Sequence, residues 1–313
     1  MVRKILVVTE NRSEKGLLEP IVKELELRKD VEVRFLDISG VPQYPLGQNV
    51  IERVKSHFAI FKPAIVLVPT DRDAMVYVAA HALHEGYIVS QLHAGDIGSG
   101  INDESNRFAI SFLSHILFCN SVQSAENLYK MGFEFWRVHV VGSTALDDDI
   151  EIDESLCPNE PYDLVLLHPD PISIEATFKD LTDTVRIAEK SSRVIWLEPN
   201  NDKNCEIIFS QLESFEDDQA VLFTRRNITV IRGNLPRSQY LGLLTNCKRG
   251  IGNSSSFTLE LPLLNPKAEY IQIGHRNKER TPPSTELGAS KRIAEILATI
   301  PIDDKLRRKK LIL

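Results

Sequence analysis

Short, solid apolar runs separated by amphipathic stretches dominate this chain and fix its fold class. Residues 4–9 (KILVVT), 64–68 (AIVLV), 164–167 (LVLL) and 193–197 (RVIWL) place apolar side chains at consecutive positions. Neighbouring residues of a strand point to opposite faces, so such a run implies a strand buried on both. Between the runs lie stretches of helical period, as in residues 17–27 with Leu17, Leu18, Ile21, Val22 and Leu25. Strands are predicted at 4–9, 31–36, 64–68, 87–92 and 116–119, with helices at 17–27, 50–61, 74–84 and 106–113. The alternation restarts with strands at 164–167, 193–197, 228–231, 248–252 and 270–273, and with helices at 174–190, 205–215, 240–245, 256–261 and 286–298. This is an α/β chain of parallel sheets covered on both faces by helices.

The two runs of alternation are separated by an acidic stretch with two prolines, ending at Pro161. The expected organisation is a Rossmann-like domain over 1–150, a linker over 151–161, a second Rossmann-like domain over 162–300 and a basic tail over 301–313. A chain of 313 residues fits two domains of ordinary size. Two such halves joined by a linker imply a cleft between them. The tail, with Lys305, Arg307, Arg308, Lys309 and Lys310, reads as solvated and frayed.

Charge and cysteine usage exclude several classes. A net charge of −7 argues against a broad basic face for nucleic acid. Cys119, Cys157, Cys205 and Cys247 are far apart and form no CxxC pair, so neither a metal nor a redox centre is expected. They read as free thiols in a reducing compartment. The start shows no export signal, and no apolar run approaches the ~20 residues of a membrane span. The expectation is a cytoplasmic protein without membrane contact.

Open α/β sheets bind ligands beyond the carboxyl ends of their strands, so chemistry is expected in the loops there. After the first strand, residues 9–16 (TENRSEKG) contain no GxGxxG, which excludes a dinucleotide fingerprint. Arg12 in that loop suits a phosphate beside a helix N-terminus, or is a surface arginine between Glu10 and Glu14. Thr70 or Asp71 either caps the next helix or places an acid or base at the cleft mouth, with Arg72 as an anion ligand. The glycine-rich loop 92–107 holds His93, Asp96, Asp103, Glu104 and Arg107. Such carboxylates can divide acid and base roles. A metal site from His93, Asp96 and Asp103 has no recognised spacing, and a loop with Asp103 and Glu104 capping a helix is the plain alternative. In the second half, His168 ends a strand, where it is either a titrating group or a structural one.

The sharpest feature is residues 251–260 (IGNSSSFTLE), where a strand ends in Gly252 and Asn253-Ser254-Ser255-Ser256 opens a helix. N–H groups and hydroxyls there form a ready anion site, and Glu260 can accept from a ribose hydroxyl. Simple capping by Ser254 or Ser255 is the alternative. The basic loop with Arg276 and Arg280 follows the last strand and suits a diphosphate.

These motifs resemble UDP-N-acetylglucosamine 2-epimerases, the hydrolysing type most of all. Asn11-Arg12-Ser13-Glu14, Thr70-Asp71-Arg72, the acidic pair before Arg107, Val141-Gly142-Ser143 with Asp147, and His168-Pro169 each match a family segment. Ile251 to Ser255 with Glu260, and Gly274-His275-Arg276 with Arg280, are the most specific matches. The resemblance implies two Rossmann-like lobes in the glycosyltransferase-B arrangement. It implies loss of the C2 proton and anti elimination of UDP to a glycal, then re-addition of water or UDP with inverted C2. Catalytic roles then fall to Asp71, Asp96, Asp103, Glu104 and His168. Substrate binding falls to Arg12, Arg72, His93 and Arg107, and to Asn253, Ser254, Ser255, Glu260, Arg276 and Arg280. A UDP-sugar substrate, no cofactor and a homodimer are implied. One departure stands out: the family's His-x-Glu-Gly/Ala-Gly is here His93-Ala94-Gly95-Asp96, one residue short, with Asp96 the candidate substitute for the glutamate. A UDP-sugar-binding protein that has lost catalysis, and a glycosyltransferase of the same fold, are the competing readings.

Overall fold

The computed structural model describes all residues except 1, 43, 99–101, 148–150, 201, 217–226, 234, 285 and 313, and excepting also the side chains at 12, 13 and 216. It divides into two units, one of Met1–Asp149 with Thr281–Leu313 and one of Ile150–Arg280.

The first unit runs β1 (Arg3–Thr9), α1 (Arg12–Glu26), β2 (Val31–Asp37), α2 (Leu46–Phe61), β3 (Ile65–Val68), α3 (Asp73–His84), β4 (Ile88–Leu92), α4 (Asn102–Leu113), β5 (Ile116–Cys119), α5 (Val122–Lys130) and β6 (Val138–Val140). Its sheet is parallel, in the order β2-β1-β3-β4-β5-β6. The consecutive apolar residues of β1 divide between two cores, as the strand period demands. Ile5 and Val7 face the helices α1 and α11, whereas Leu6 and Val8 face α2 and α3. All four are fully buried, a gain of about 1.5–3 kcal/mol each. The second unit runs β7 (Asp163–Leu166), α6 (Ile174–Ala188), β8 (Val194–Leu197), α7 (Cys205–Glu216), β9 (Ile228–Ile231), α8 (Arg237–Asn246), β10 (Arg249–Gly252), α9 (Ser256–Leu259), α10 (Leu261–Leu264) and β11 (Glu269–Gln272). Its parallel sheet has the order β11-β10-β7-β8-β9.

The last two helices, α11 (Ala289–Thr299) and α12 (Asp304–Arg307), correct the expected division of the chain. The helix assigned to the second domain packs on the first unit instead. Ile293 and Leu297 share a core with Leu18, Ile21 and Leu25 of α1. Asp147 accepts from the N–H of Gly288 at 2.6 Å and of Ser290 at 2.5 Å, capping α11 from the other end of its unit. The basic tail is docked rather than frayed. Leu306 is 1% exposed, and buried Arg137 donates to the carbonyls of Lys305 and Leu306, each at 2.8 Å. Ile302 packs on the same core, and Leu311 and Ile312 bridge back to Phe133 and Gly132. Helix α5 and strand β6 were not anticipated, although Ser121 gives α5 an N-cap, accepting from Ser124 N–H at 3.1 Å.

Candidate active site

Each sheet has a point where successive connections leave in opposite directions. In the first it lies between β1 and β3, in the second between β7 and β10. Ligand sites of open sheets form beyond the strand ends at such a point. The loops singled out from the sequence follow these four strands, together with β4 and β11.

In the first unit, Asp71 is the hub. One carboxylate oxygen accepts from Thr70 Oγ1 at 2.8 Å, and the other pairs with the Arg107 guanidinium. Arg107 is fully buried and also donates to the Asp96 carbonyl at 2.9 Å. Burial alone would lower its pKa, but Asp71, Asp96 and Asp103 more than offset that and raise it. Gln91 on β4 ties the loops together. Its amide donates to the carbonyls of Thr70 and Arg107, each at 3.0 Å, while its oxygen accepts from Ser111 at 2.6 Å. The capping alternative for Thr70 and Asp71 is not realised. The N-cap of α3 is Arg72, with no side-chain cap bond.

The loop after β4 is held from both sides. Glu104, in the first turn of α4, accepts from Gly98 N–H at 3.0 Å. Asp96 is 1% exposed and accepts from Ile97 N–H at 3.1 Å. His93 is 3% exposed with a left-handed backbone, φ 54°. At Gly95, φ 74°, a Cβ would stand 2.2 Å from the Ser124 carbonyl, so this tight passage admits only glycine. Arg107, expected at the substrate, is buried and paired with Asp71. The Arg12 backbone opens α1, but its side chain lies outside the described residues. Among the described residues, no group of three or more His, Cys, Asp or Glu is arranged to hold a metal ion. Nor is any described helix long and apolar enough to cross a membrane.

In the second unit the chemistry is hydroxyl and amide. Gly252 has φ 143°, and a Cβ there would lie 2.0 Å from the Leu166 carbonyl, so β7 and β10 meet closely at their ends. Asn253, expected at the nucleotide, has a partner within its own unit. Its side chain accepts from His168 N–H at 2.8 Å and donates to the His168 carbonyl at 2.9 Å, and the residue is fully buried. It therefore fixes the His168 backbone. Asn277, which sequence reasoning passed over, holds Asn253 in turn by donating to its carbonyl at 2.8 Å.

The serine run includes a cap but goes beyond one. Ser255 is the N-cap of α9 without a side-chain cap bond, while Ser254 Oγ accepts from Ser256 N–H at 3.4 Å and stands 3.2 Å from Ser256 Oγ. Ser256 also shares a hydrogen bond with Tyr240 Oη. The α9 helix is one turn long and gives way to α10 at Glu260, so local N–H groups and hydroxyls, not a long helix dipole, must attract an anion. Glu260 is 8% exposed and accepts from Arg237 at 2.9 Å. Arg237 carried no signal in the sequence beyond opening a helix. Arg276 is engaged by Asp202 at 2.9 Å and by the Pro169 carbonyl at 2.9 Å, which brings the β11 loop onto the β7 loop. Arg280 is half-buried at the end of the same turn, its N–H donating to the Asn277 carbonyl at 3.1 Å.

Comparisons with known proteins agree with this arrangement. A family model described as UDP-N-acetylglucosamine 2-epimerase matches residues 1–307. A UDP-N,N'-diacetylbacillosamine 2-epimerase (hydrolyzing) of Legionella pneumophila is 25% identical, covering 90% of this chain and 83% of its own. A UDP-N-acetylglucosamine 2-epimerase of Neisseria meningitidis is 24% identical, covering 89% and 81%. Among solved structures, the Neisseria meningitidis UDP-GlcNAc 2-epimerase bound to UDP-GlcNAc superposes with a TM-score of 0.77 at 18% identity, covering 94% of this chain and 99% of that one. The Methanocaldococcus jannaschii enzyme in complex with UDP-GlcNAc and UDP gives 0.69 at 16% identity, covering 99% and 95%. At these identities the superpositions speak to fold, which is that of the glycosyltransferase-B-like epimerases. The match over nearly the whole sequence decides the rest: the chain belongs to the UDP-N-acetylglucosamine 2-epimerase family.

Proposed function

We propose that this protein is a hydrolysing 2-epimerase acting on a UDP-N-acetylhexosamine. A base removes the C2 proton, the C1–O bond to UDP breaks with anti geometry, and a glycal remains. Water then adds, with its oxygen at C1 and a proton at C2 on the opposite face. The observation that carries the reading is the buried Arg107–Asp71 pair at the β1–β3 switch point, with Asp96 and Asp103 also acting on Arg107. A cluster of carboxylates held around a buried guanidinium can divide acid and base roles at a sugar carbon. In this reading Asp71, Asp103 and Glu104, with Asp96 in place of the family glutamate, handle protons in the first unit. His168, fixed by Asn253, assists the leaving group from the second. Ser254, Ser255, Glu260, Arg276 and Arg280 hold UDP, joined by Arg12 and with Arg72 at the phosphate.

The hydrolysing branch is chosen because the Legionella relative carries that activity in its name. The protein is proposed to work in the cytoplasm as a homodimer, which light scattering of the purified protein tests. The decisive experiment is proton NMR with UDP-N-acetylglucosamine and related UDP-N-acetylhexosamines in D2O. Deuterium at C2 with release of free UDP is expected. Absence of exchange and of product across the panel overturns the reading, and exchange without UDP release overturns the hydrolysing branch.

A further inference from the structure

Glu14 is a buried acid that the reaction above does not use. It is the third residue of α1 and 4% exposed. Asn11 Oδ1 accepts from its N–H at 2.9 Å, and its own Oε2 accepts from Glu10 N–H at 2.8 Å. This resembles a capping box, in which Glu or Gln at this position reaches back to the start of the helix. The cap needs one acceptor oxygen, and an amide supplies it without a charge. The other oxygen, Oε1, is buried and has no hydrogen-bond partner among the described residues. A cap therefore accounts for half of this carboxyl and not for its being an acid.

Its surroundings supply a reason. The charged groups acting on Glu14 are Glu10 on its own loop and Asp71 and Arg72 from the loop after β3, and Arg72 and Asp73 act on Glu10. Burial pushes Glu14 up to about 7, the Glu10 N–H opposes this, Asp71 adds to it, and Arg72 is the cation that favours the ionised form. We propose that Glu14 is a proton-coupled positioning residue, which takes up a proton as a diphosphate binds at Arg72. The inference rests on the function proposed above, since it takes Arg72 to face the diphosphate. A diphosphate on Arg72 draws off the cation's support and adds negative charge, so the carboxyl holds a proton more tightly than in the free protein. By linkage, affinity then weakens as pH rises, by up to about ten-fold per pH unit where a whole proton is taken up.

Calorimetry of UDP binding at pH 7 in phosphate and in Tris reads the proton count from the buffer dependence of the heat. Wild type is expected to take up measurably more protons than Glu14→Gln, the nucleotide's own ionisation being common to both. Binding with equal uptake by the two proteins overturns the inference alone. So does uptake lost in Glu10→Gln but kept in Glu14→Gln. No binding of UDP by wild type overturns the functional reading and this inference with it. Should Glu14→Gln not fold, infrared difference spectroscopy of wild type at pH 7.5 decides. A protonated-carboxyl band gained on adding UDP supports the proposal, and its absence overturns it.

Discussion

The loops after β1 and β3 in the first unit and those after β7 and β10 in the second hold the same topological position, yet they are built of opposite materials. The first set is ionic: a buried Arg107–Asp71 pair, buried Glu14 with Glu10 beside it, and Asp103 and Glu104 on the next helix. The second is richer in amides and hydroxyls, with Asn253 clamped on His168 and the Ser254–Ser256 run against Tyr240, although Glu260 there pairs with Arg237. A buried ion pair is costly to desolvate and contributes little net stability, so its retention points to chemistry rather than scaffolding. Amides and hydroxyls can contact a nucleotide without themselves titrating. In the function proposed above, proton handling falls mainly to the first unit and nucleotide holding to the second.

The largest test of this division is Asp71→Asn. It removes the anion from Arg107 and is expected to cut turnover by about 100- to 10,000-fold while leaving the Kd for UDP within a few-fold. Steady-state rates beside calorimetry check it, and UDP binding lost in step with turnover would erase the distinction. Next, Ser254→Ala combined with Glu260→Ala should weaken UDP by about ten- to a hundred-fold, since bonds to charged groups contribute about 1.5–3 kcal/mol. Turnover at saturating substrate should stay close to wild type.

The third test concerns pH. The proton-linked stability from Glu14 is fully present below its ordinary value of 4.5 and is lost as pH rises to about 7. Glu14→Gln should therefore gain on wild type in denaturant titrations between pH 5 and 8, by about 3 kcal/mol at most. A constant difference across that range would show that Glu14 does not titrate there. In the second unit, Asn253→Ala strips two hydrogen bonds from the His168 backbone and should cost about 1–3 kcal/mol, with no pH dependence over the same range. The smallest effect is expected from Arg237→Ala. The Arg237 side chain is 39% exposed, so its bond to Glu260 should shift KM only a few-fold without changing kcat.

Both sheets were legible in the sequence because burial on two faces leaves continuous apolar runs, and the positions of β5 and β9 match their runs residue for residue. The strand-end loops were legible because glycines, serines and carboxylates are unusual in such density. What each side chain does there was not. Asp71 meets Arg107 across 36 residues and Asn253 meets His168 across 85, and no local pattern announces either partner. For the same reason Arg107 and Asn253 read only as ligand contacts, with no hint of their partners Asp71 and His168. Glu14 was visible only as a charged neighbour of Arg12 and as part of a family segment, and nothing local announces its burial. The docking of α11 and α12 escaped notice because the apolar stripe of α11 fits a core in either half equally well.

That docking has a consequence for how the chain is made. The second unit is inserted into the first, whose closing helix lies beyond Thr281. On the ribosome, residues 150–280 emerge whole and can fold as a unit. The first-made 149 residues must wait with the apolar face of α1 uncovered until α11 arrives. The usual order of synthesis, in which the N-terminal part settles first, is reversed here. The half proposed to hold the nucleotide is finished before the half proposed to carry the acids.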